Sequence, residues 1–147
     1  MRVRRSQREL SVASSDTRSV IEEYFAALAG RDWPRLYDLL AEDVEWRMPR
    51  SIPDNLHAGR EKMGSELSRD VVKRFFAKGS YRMTTGGVIV DGDVAVVRQH
   101  VDALTKDGRP YDMDYCFIYT VRDRRITLIE EFLDTRLAAD LLDLGRP

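Results

Sequence analysis

The residues most able to do chemistry sit in two short stretches. Arg98, His100 and Asp102 alternate along one segment, and alternate residues of a strand share a face, so the three would project together. A carboxylate held in an apolar setting is desolvated, which lifts its pKa toward the range of a working general acid or base. A histidine two residues away titrates near neutrality and can pass the proton on. The other face of this segment (Ala95, Val97, Gln99, Val101, Ala103) is the more apolar. The pattern alone therefore leaves two readings open, with the polar face either in water or lining a pocket. The second stretch is Glu130-Glu131, where consecutive strand positions send one carboxylate to each face.

Tyr111, Met113, Tyr115, Phe117 and Tyr119 form an aromatic stripe at strand spacing, which reads first as core and second as a pocket wall. A tyrosine hydroxyl in such a wall could donate to a developing oxyanion. His57, in a loop before a helix, reads as a loop histidine without function. Cys116, between Tyr115 and Phe117, reads as a small core residue. One cysteine and two histidines 43 positions apart do not make a metal site, and there is no glycine-rich phosphate loop.

These residues need a scaffold, and 147 residues are enough for one domain with a core. Hydrophobic residues at 43% and charged residues at 33% are ordinary for a globular chain. The net charge is −1, and the positive charge gathers in the first ten residues, which carry Arg2, Arg4, Arg5 and Arg8. The rest is slightly acidic, which argues against nucleic acid as a partner. No apolar stretch reads as a secretory signal or membrane span, so the expectation is a cytoplasmic protein with no membrane partner.

Residues 1–14 read as a disordered basic arm and 15–147 as a single domain. Helical spacing of Val20, Ile21, Tyr24, Phe25 and Leu28 ends at Gly30, and a short helix follows Asp32. Residues 44–48 alternate as a strand, 50–57 read as a loop, and a third helix is expected over 60–78. From Tyr81 the pattern becomes strands, with turns at Asp91-Gly92, Lys106-Asp107-Gly108 and Asp123-Arg124-Arg125. Gly86-Gly87 suggests a bulge, and a last helix is expected over 135–144.

Two helices, a strand ending at Trp46-Arg-Met-Pro, Leu56-His-Ala-Gly-Arg-Glu opening a third helix, and an antiparallel meander together resemble the nuclear transport factor 2-like superfamily. The stretch Arg125-Ile-Thr-Leu-Ile-Glu-Glu-Phe-Leu-Asp-Thr-Arg-Leu is similar to the last strand of SnoaL-like cyclases and of limonene-epoxide hydrolase. Val101-Asp102-Ala-Leu looks like the epoxide hydrolase strand that bears an Arg-Val-Asp, with His100 in place of the arginine. The resemblance covers about residues 17–144.

The fold this implies is α+β, a cone-shaped curved antiparallel sheet wrapped around three helices, also called a cystatin-like α+β barrel. It also implies an acid–base enzyme without metal or organic cofactor, acting on an apolar, oxygenated molecule of polyketide, terpenoid or steroid type. The reaction would be a cyclisation, isomerisation or dehydration; epoxide hydrolysis and non-catalytic ligand binding are the alternatives. The resemblance assigns Asp102 as base, His100 as its proton partner, Glu131 as a second acid and Tyr115 as the group polarising an oxygen. Trp46, Arg98, Leu104, Met113 and Leu133 would contact the substrate, and a homodimer through the outer sheet face is expected.

Overall fold

The computed structural model describes residues 6–65 and 71–142. Helix α1 spans Gln7–Gly30 and α2 Trp33–Asp38, followed by strands β1 Leu40–Arg47 and β2 Leu56–Ala58. Helices α3 Arg60–Ser65 and α4 Val71–Phe75 come next, then β3 Arg82–Asp91, β4 Val94–Leu104, β5 Pro110–Arg122, β6 Arg125–Leu133 and α5 Thr135–Leu141.

Six strands form one unclosed sheet in the order β2-β1-β6-β5-β4-β3. All neighbours are antiparallel except β1 and β6, which run parallel, so the expected sheet carries one parallel seam. The register shifts three times, between Leu40 and Glu45, Thr85 and Val88, and Thr120 and Val121. The middle shift falls at Gly86-Gly87, where the two glycines suggest it. Such shifts bend a sheet, and here they curve it around α1.

Two hairpin turns use positive φ angles: Gly92 at 55° joins β3 to β4, and Asp123 and Arg124 at 49° and 58° join β5 to β6. The left-handed residue that ends α1 is Arg31 (φ 54°) rather than Gly30, its backbone N–H donating to the α1 carbonyls of Ala27 and Leu28.

The structure departs from the sequence expectations in four further places. Helix α1 begins at Gln7, within the segment read as disordered. A capping box between Ser6 and Glu9 starts it, and Gly92 holds it. The Ser14 hydroxyl accepts from the Gly92 N–H at 2.8 Å, while the Thr17 hydroxyl donates to the Gly92 carbonyl at 2.8 Å. Leu56 and His57, assigned to a loop, join Ala58 in β2 by pairing with β1. The expected helix over 60–78 is seen as α3 and α4, with 66–70 outside the described residues. It stops at Phe75 because Phe76 bridges Thr105. The closing helix ends at Leu141, and 143–147 lie outside the described residues.

The core falls into two clusters. One packs Val20, Ile21, Tyr24 and Ala27 of α1 against Ala95, Val97, Tyr119, Val121, Ile126 and Ile129 of the sheet. The other gathers Phe76, Val101, Ala103, Tyr111, Met113 and Ala138. Along β4 the buried positions are Ala95, Val97, Gln99, Val101 and Ala103. The apolar face of that strand therefore points inward, as period-two burial dictates.

Candidate functional site

The direction of β4 settles the first constellation. Arg98 and Asp102 are exposed on the outer face, and the His100 side chain is 42% exposed. Leu104 lies on the same face at 44%. Imidazole Nδ1 of His100 is 2.9 Å from Asp114 Oδ1, and its Nε2 is 3.3 Å from Asp112 Oδ1. The hydrogen bond to Asp114 raises its pKa, with Asp112, Asp114 and Asp102 adding in the same direction. These are outward carboxylates in water. The expectation that Arg98, His100, Asp102 and Leu104 line the pocket is corrected, because the strand has only two faces and the core takes the apolar one.

The second constellation turns inward. Antiparallel pairing sets Phe117 opposite Glu131 and Tyr115 opposite Leu133. Parallel pairing sets Trp46 beside Ile129, two residues before Glu131. Trp46, Met113, Tyr115, Glu131 and Leu133 thus share the inner face. Trp46 and Phe117 lean on the first core cluster, and Tyr115 and Leu133 on the second. These four stay half-buried although they face inward. They lie where the two clusters meet, and the register places Glu131 among them. Met113 is fully buried beneath, and serves as floor rather than exposed lining.

Glu131 is 8% exposed, and its Oε2 has no hydrogen-bond partner among the described residues. Burial pushes its carboxyl up to about 7, while the nearby indole N–H of Trp46 pulls slightly the other way. That indole nitrogen is itself buried without a well-formed hydrogen bond among the described residues. A buried donor and a buried acceptor left open at one place mark a position a ligand can satisfy.

Tyrosines surround the carboxyl. Burial raises Tyr81 to about 12, with smaller contributions from Tyr111 and Glu131, and raises Tyr111 to about 12 as well. Burial also raises Tyr24, Tyr115 and Tyr119, and the Glu131 charge adds to each. The hydroxyls of Tyr111 and Tyr115 meet at 2.5 Å, four residues apart on one strand. Such residues are about 13 Å apart along a flat strand, so the two rings lean toward each other to bring their hydroxyls together. Sequence reasoning took Tyr24 only as a core position of a helix and gave Tyr81 no role at the site. Tyr81 is inward because Arg82 pairs with the outward Asp102.

His57 also lies on the inner face. It pairs with Trp46 across β1 and β2, and the two ring centroids are 5.9 Å apart. A cleft of about 560 Å³ opens where β1 and β6 end. Arg47, Leu56, Glu130 and Phe132, all of outer-face parity, line it together with Glu131, so the cleft at the strand ends reaches that residue. Among the described residues no group of three or more His, Cys, Asp or Glu could hold a metal ion. No helix among them is long and apolar enough to cross a membrane.

A curved, unclosed sheet wrapped on a long helix, with a buried carboxyl and tyrosines on its inner face, defines a small-molecule-binding α+β fold. The family model of the SnoaL-like domain matches residues 21–129, and the chain belongs to that family. No curated protein matches the sequence significantly. Solved structures are similar in fold. An NTF2-like protein from Burkholderia xenovorans LB400 shares 23% identity over 87% of this chain and 96% of its own, with a TM-score of 0.70. A candidate ketosteroid isomerase from Kribbella flavida DSM 17836 shares 22% over 82% and 79%, with a TM-score of 0.65. An LEH-like epoxide hydrolase of M. tuberculosis shares 17% over 88% and 91%, with a TM-score of 0.65.

Proposed function

We propose that this chain is a cofactor-independent enzyme that moves a proton within an apolar, oxygenated ring compound, as an isomerase, cyclase or dehydratase does. The observation that carries this reading is Glu131, a carboxyl desolvated to about 7 beside aromatic rings and hydroxyls. At neutral pH such a group is divided between acid and base forms, which is where general acid–base catalysis is most effective. As carboxylate it takes the proton from the carbon next to a carbonyl. Tyr115 donates to the oxygen that gains charge, and Tyr111 stands behind it as the partner of its hydroxyl. Trp46, Phe117 and Leu133 hold the ring. Asp102 takes no part, because its carboxylate is in water. Epoxide opening through a water shared by Asp102 and Glu131 loses its support, since the two lie on opposite faces of the sheet.

The test is deuterium incorporation into a panel of cyclic ketones in D2O. The wild type exchanges the carbon next to the carbonyl, and Glu131→Gln slows this by about 10²–10⁴-fold, the usual contribution of a positioned base. Equal rates in both proteins would remove Glu131 from the role, and no exchange in either would favour a binding module.

The partner we propose besides the substrate is a second copy on the outer sheet face. Five of the exposed large apolar residues lie there: Leu56 at 54%, Ile89 at 70%, Val94 at 37%, Leu104 at 44% and Phe132 at 49%. A copy seated there would cover these apolar side chains. Sedimentation of the wild type should give a dimer, and Phe132→Asp with Ile89→Asp a folded monomer; a monomeric wild type would exclude the pairing.

A further inference from the structure

We propose that two copies of this chain meet with their outer faces antiparallel, the acidic end of one on the arginine end of the other. His100 makes that contact sensitive to pH. The inference rests on the second-copy reading above and supplies its orientation and its control.

The outer face has three zones along the strands. Where β4 ends and β5 begins, cross-strand pairing sets Asp102 beside Asp112 and His100 beside Asp114. The Asp112 and Asp114 side chains are 82% and 80% exposed, and among the described residues their ion-pair partner is His100 alone. At the opposite end of β5, Arg122 pairs with Arg125 of β6. Both are exposed, and neither has a salt bridge among the described residues. Arg124, in the turn between them, is held on the α1 side by Asp16 and Glu23. Between the two ends lie Ile89, Val96, Cys116, Ile118 and Phe132, joined by the register across β3 to β6.

Two such faces can meet about a twofold axis that runs along the strands or across them. An axis along the strands lays each acidic end on its own copy, carboxylates against carboxylates, which is strongly disfavoured. An axis across them at the apolar middle turns the second copy end for end. Asp112 and Arg122 stand five residues to either side of position 117, so each acidic end then faces Arg122 and Arg125 of the other copy. The apolar middle meets itself. Aligned sheets pack about 10 Å apart, a gap that an aspartate and an arginine span together.

His100 sits inside the acidic end, 2.9 Å from Asp114 and 3.3 Å from Asp112. The other charged groups on the strands beside it are Asp102 and Arg98 of β4 and Arg82 of β3, which pairs with Asp102. Asp91 of β3 lies toward the arginine end, two strands from β5. Neutral, the imidazole leaves three carboxylates for the arginines of the other copy. Protonated, it offsets one of them. The hydrogen bond to Asp114, helped by Asp112 and Asp102, raises its pKa above the ordinary 6.5. The contact therefore weakens as pH falls through that raised midpoint, and pairing in turn lowers the midpoint.

The test is the dimer dissociation constant of the full chain, from sedimentation equilibrium at low salt, where exposed charges are least screened. Each substitution acts twice in a twofold contact, so Arg122→Asp with Arg125→Asp should weaken the dimer about tenfold. Adding Asp112→Arg and Asp114→Arg to that chain exchanges the two ends and should restore the dimer, which damaged folding could not do. Lowering the pH from about 8 to about 6 should weaken the wild type about threefold, and His100→Gln should remove that change. A dimer unmoved by the arginine substitutions, or not restored by the exchange, overturns the orientation. A pH dependence that survives His100→Gln overturns the control. If Phe132→Asp with Ile89→Asp still breaks the dimer in those cases, the second-copy reading stands, whereas a monomeric wild type ends both.

Discussion

Glu131→Gln should make this protein more stable at pH 8 and leave it unchanged at pH 4. The Glu131 carboxyl stands at about 7 in the folded chain against 4.5 in an unfolded one, because burial penalises its charged form. Below pH 4.5 both states hold the proton and the group contributes nothing. Between 4.5 and 7 the folded state binds a proton that the unfolded state has lost, so stability falls as pH rises. Above 7 the full penalty is present, about 3 kcal/mol at roughly 1.4 kcal/mol per pH unit. Glutamine has the same shape and no charge to desolvate. In thermal unfolding at pH 8 the variant should melt about 9–10 °C higher, taking roughly 3 °C per kcal/mol for a domain of this size. At pH 4 the two curves should coincide. A variant less stable than the wild type at pH 8 would mean that the ionised carboxylate has good partners in the folded state, and that its pKa is not raised. A gain in stability together with a loss of exchange would show that the site holds a destabilising group for the sake of its chemistry.

Removing one hydroxyl of the Tyr111–Tyr115 pair should do more harm than removing both. Tyr111 is fully buried and its hydroxyl meets that of Tyr115 at 2.5 Å. Tyr115→Phe strands the Tyr111 hydroxyl away from water, which costs about 1–3 kcal/mol, whereas replacing both tyrosines leaves two matched apolar rings and should be close to neutral. A double-mutant cycle in urea measures the difference. Additive losses would mean that the hydroxyls are not paired in solution. Activity should follow a different order. On the proposed reading, Tyr115→Phe removes the donor to the substrate oxygen and should slow exchange about a hundredfold, as loss of an oxyanion donor does. Tyr111→Phe leaves that donor in place and should cost about tenfold. The double variant then recovers stability without recovering rate, a separation that a purely packing role could not give.

Much of this architecture was legible in local patterns. The spacing of Val20, Ile21, Tyr24 and Phe25, the Asp91-Gly92 turn, the glycine pair at 86–87 and the alternation of β4 and β5 are each read within a few residues, because helices and strands impose their own periods. The start of α1 was missed although Ser6 and Glu9 have the local spacing of a capping box. What no local pattern carries is the anchoring of this arginine- and serine-rich stretch, where Ser14 and Thr17 bind Gly92, some 75 residues onward. Nor was β2, three residues whose strand character consists of pairing with β1.

The site divides in the same way. Alternation by itself determined that His100 and Asp102 share one face and that Glu130 and Glu131 take opposite ones, since side-chain direction along a strand is a property of the backbone. Which of two faces meets the core depends on what packs there. α1 covers the face with Ala95 and Val97, so the polar trio of β4 is left in water, and Glu131, not its neighbour, is buried. The desolvation that lifts its carboxyl, and the setting of Trp46 and the tyrosines around it, come from elements far apart in the chain. Residue types and spacing could nominate a carboxylate here. Only the tertiary structure, by removing water from one of several, decided which.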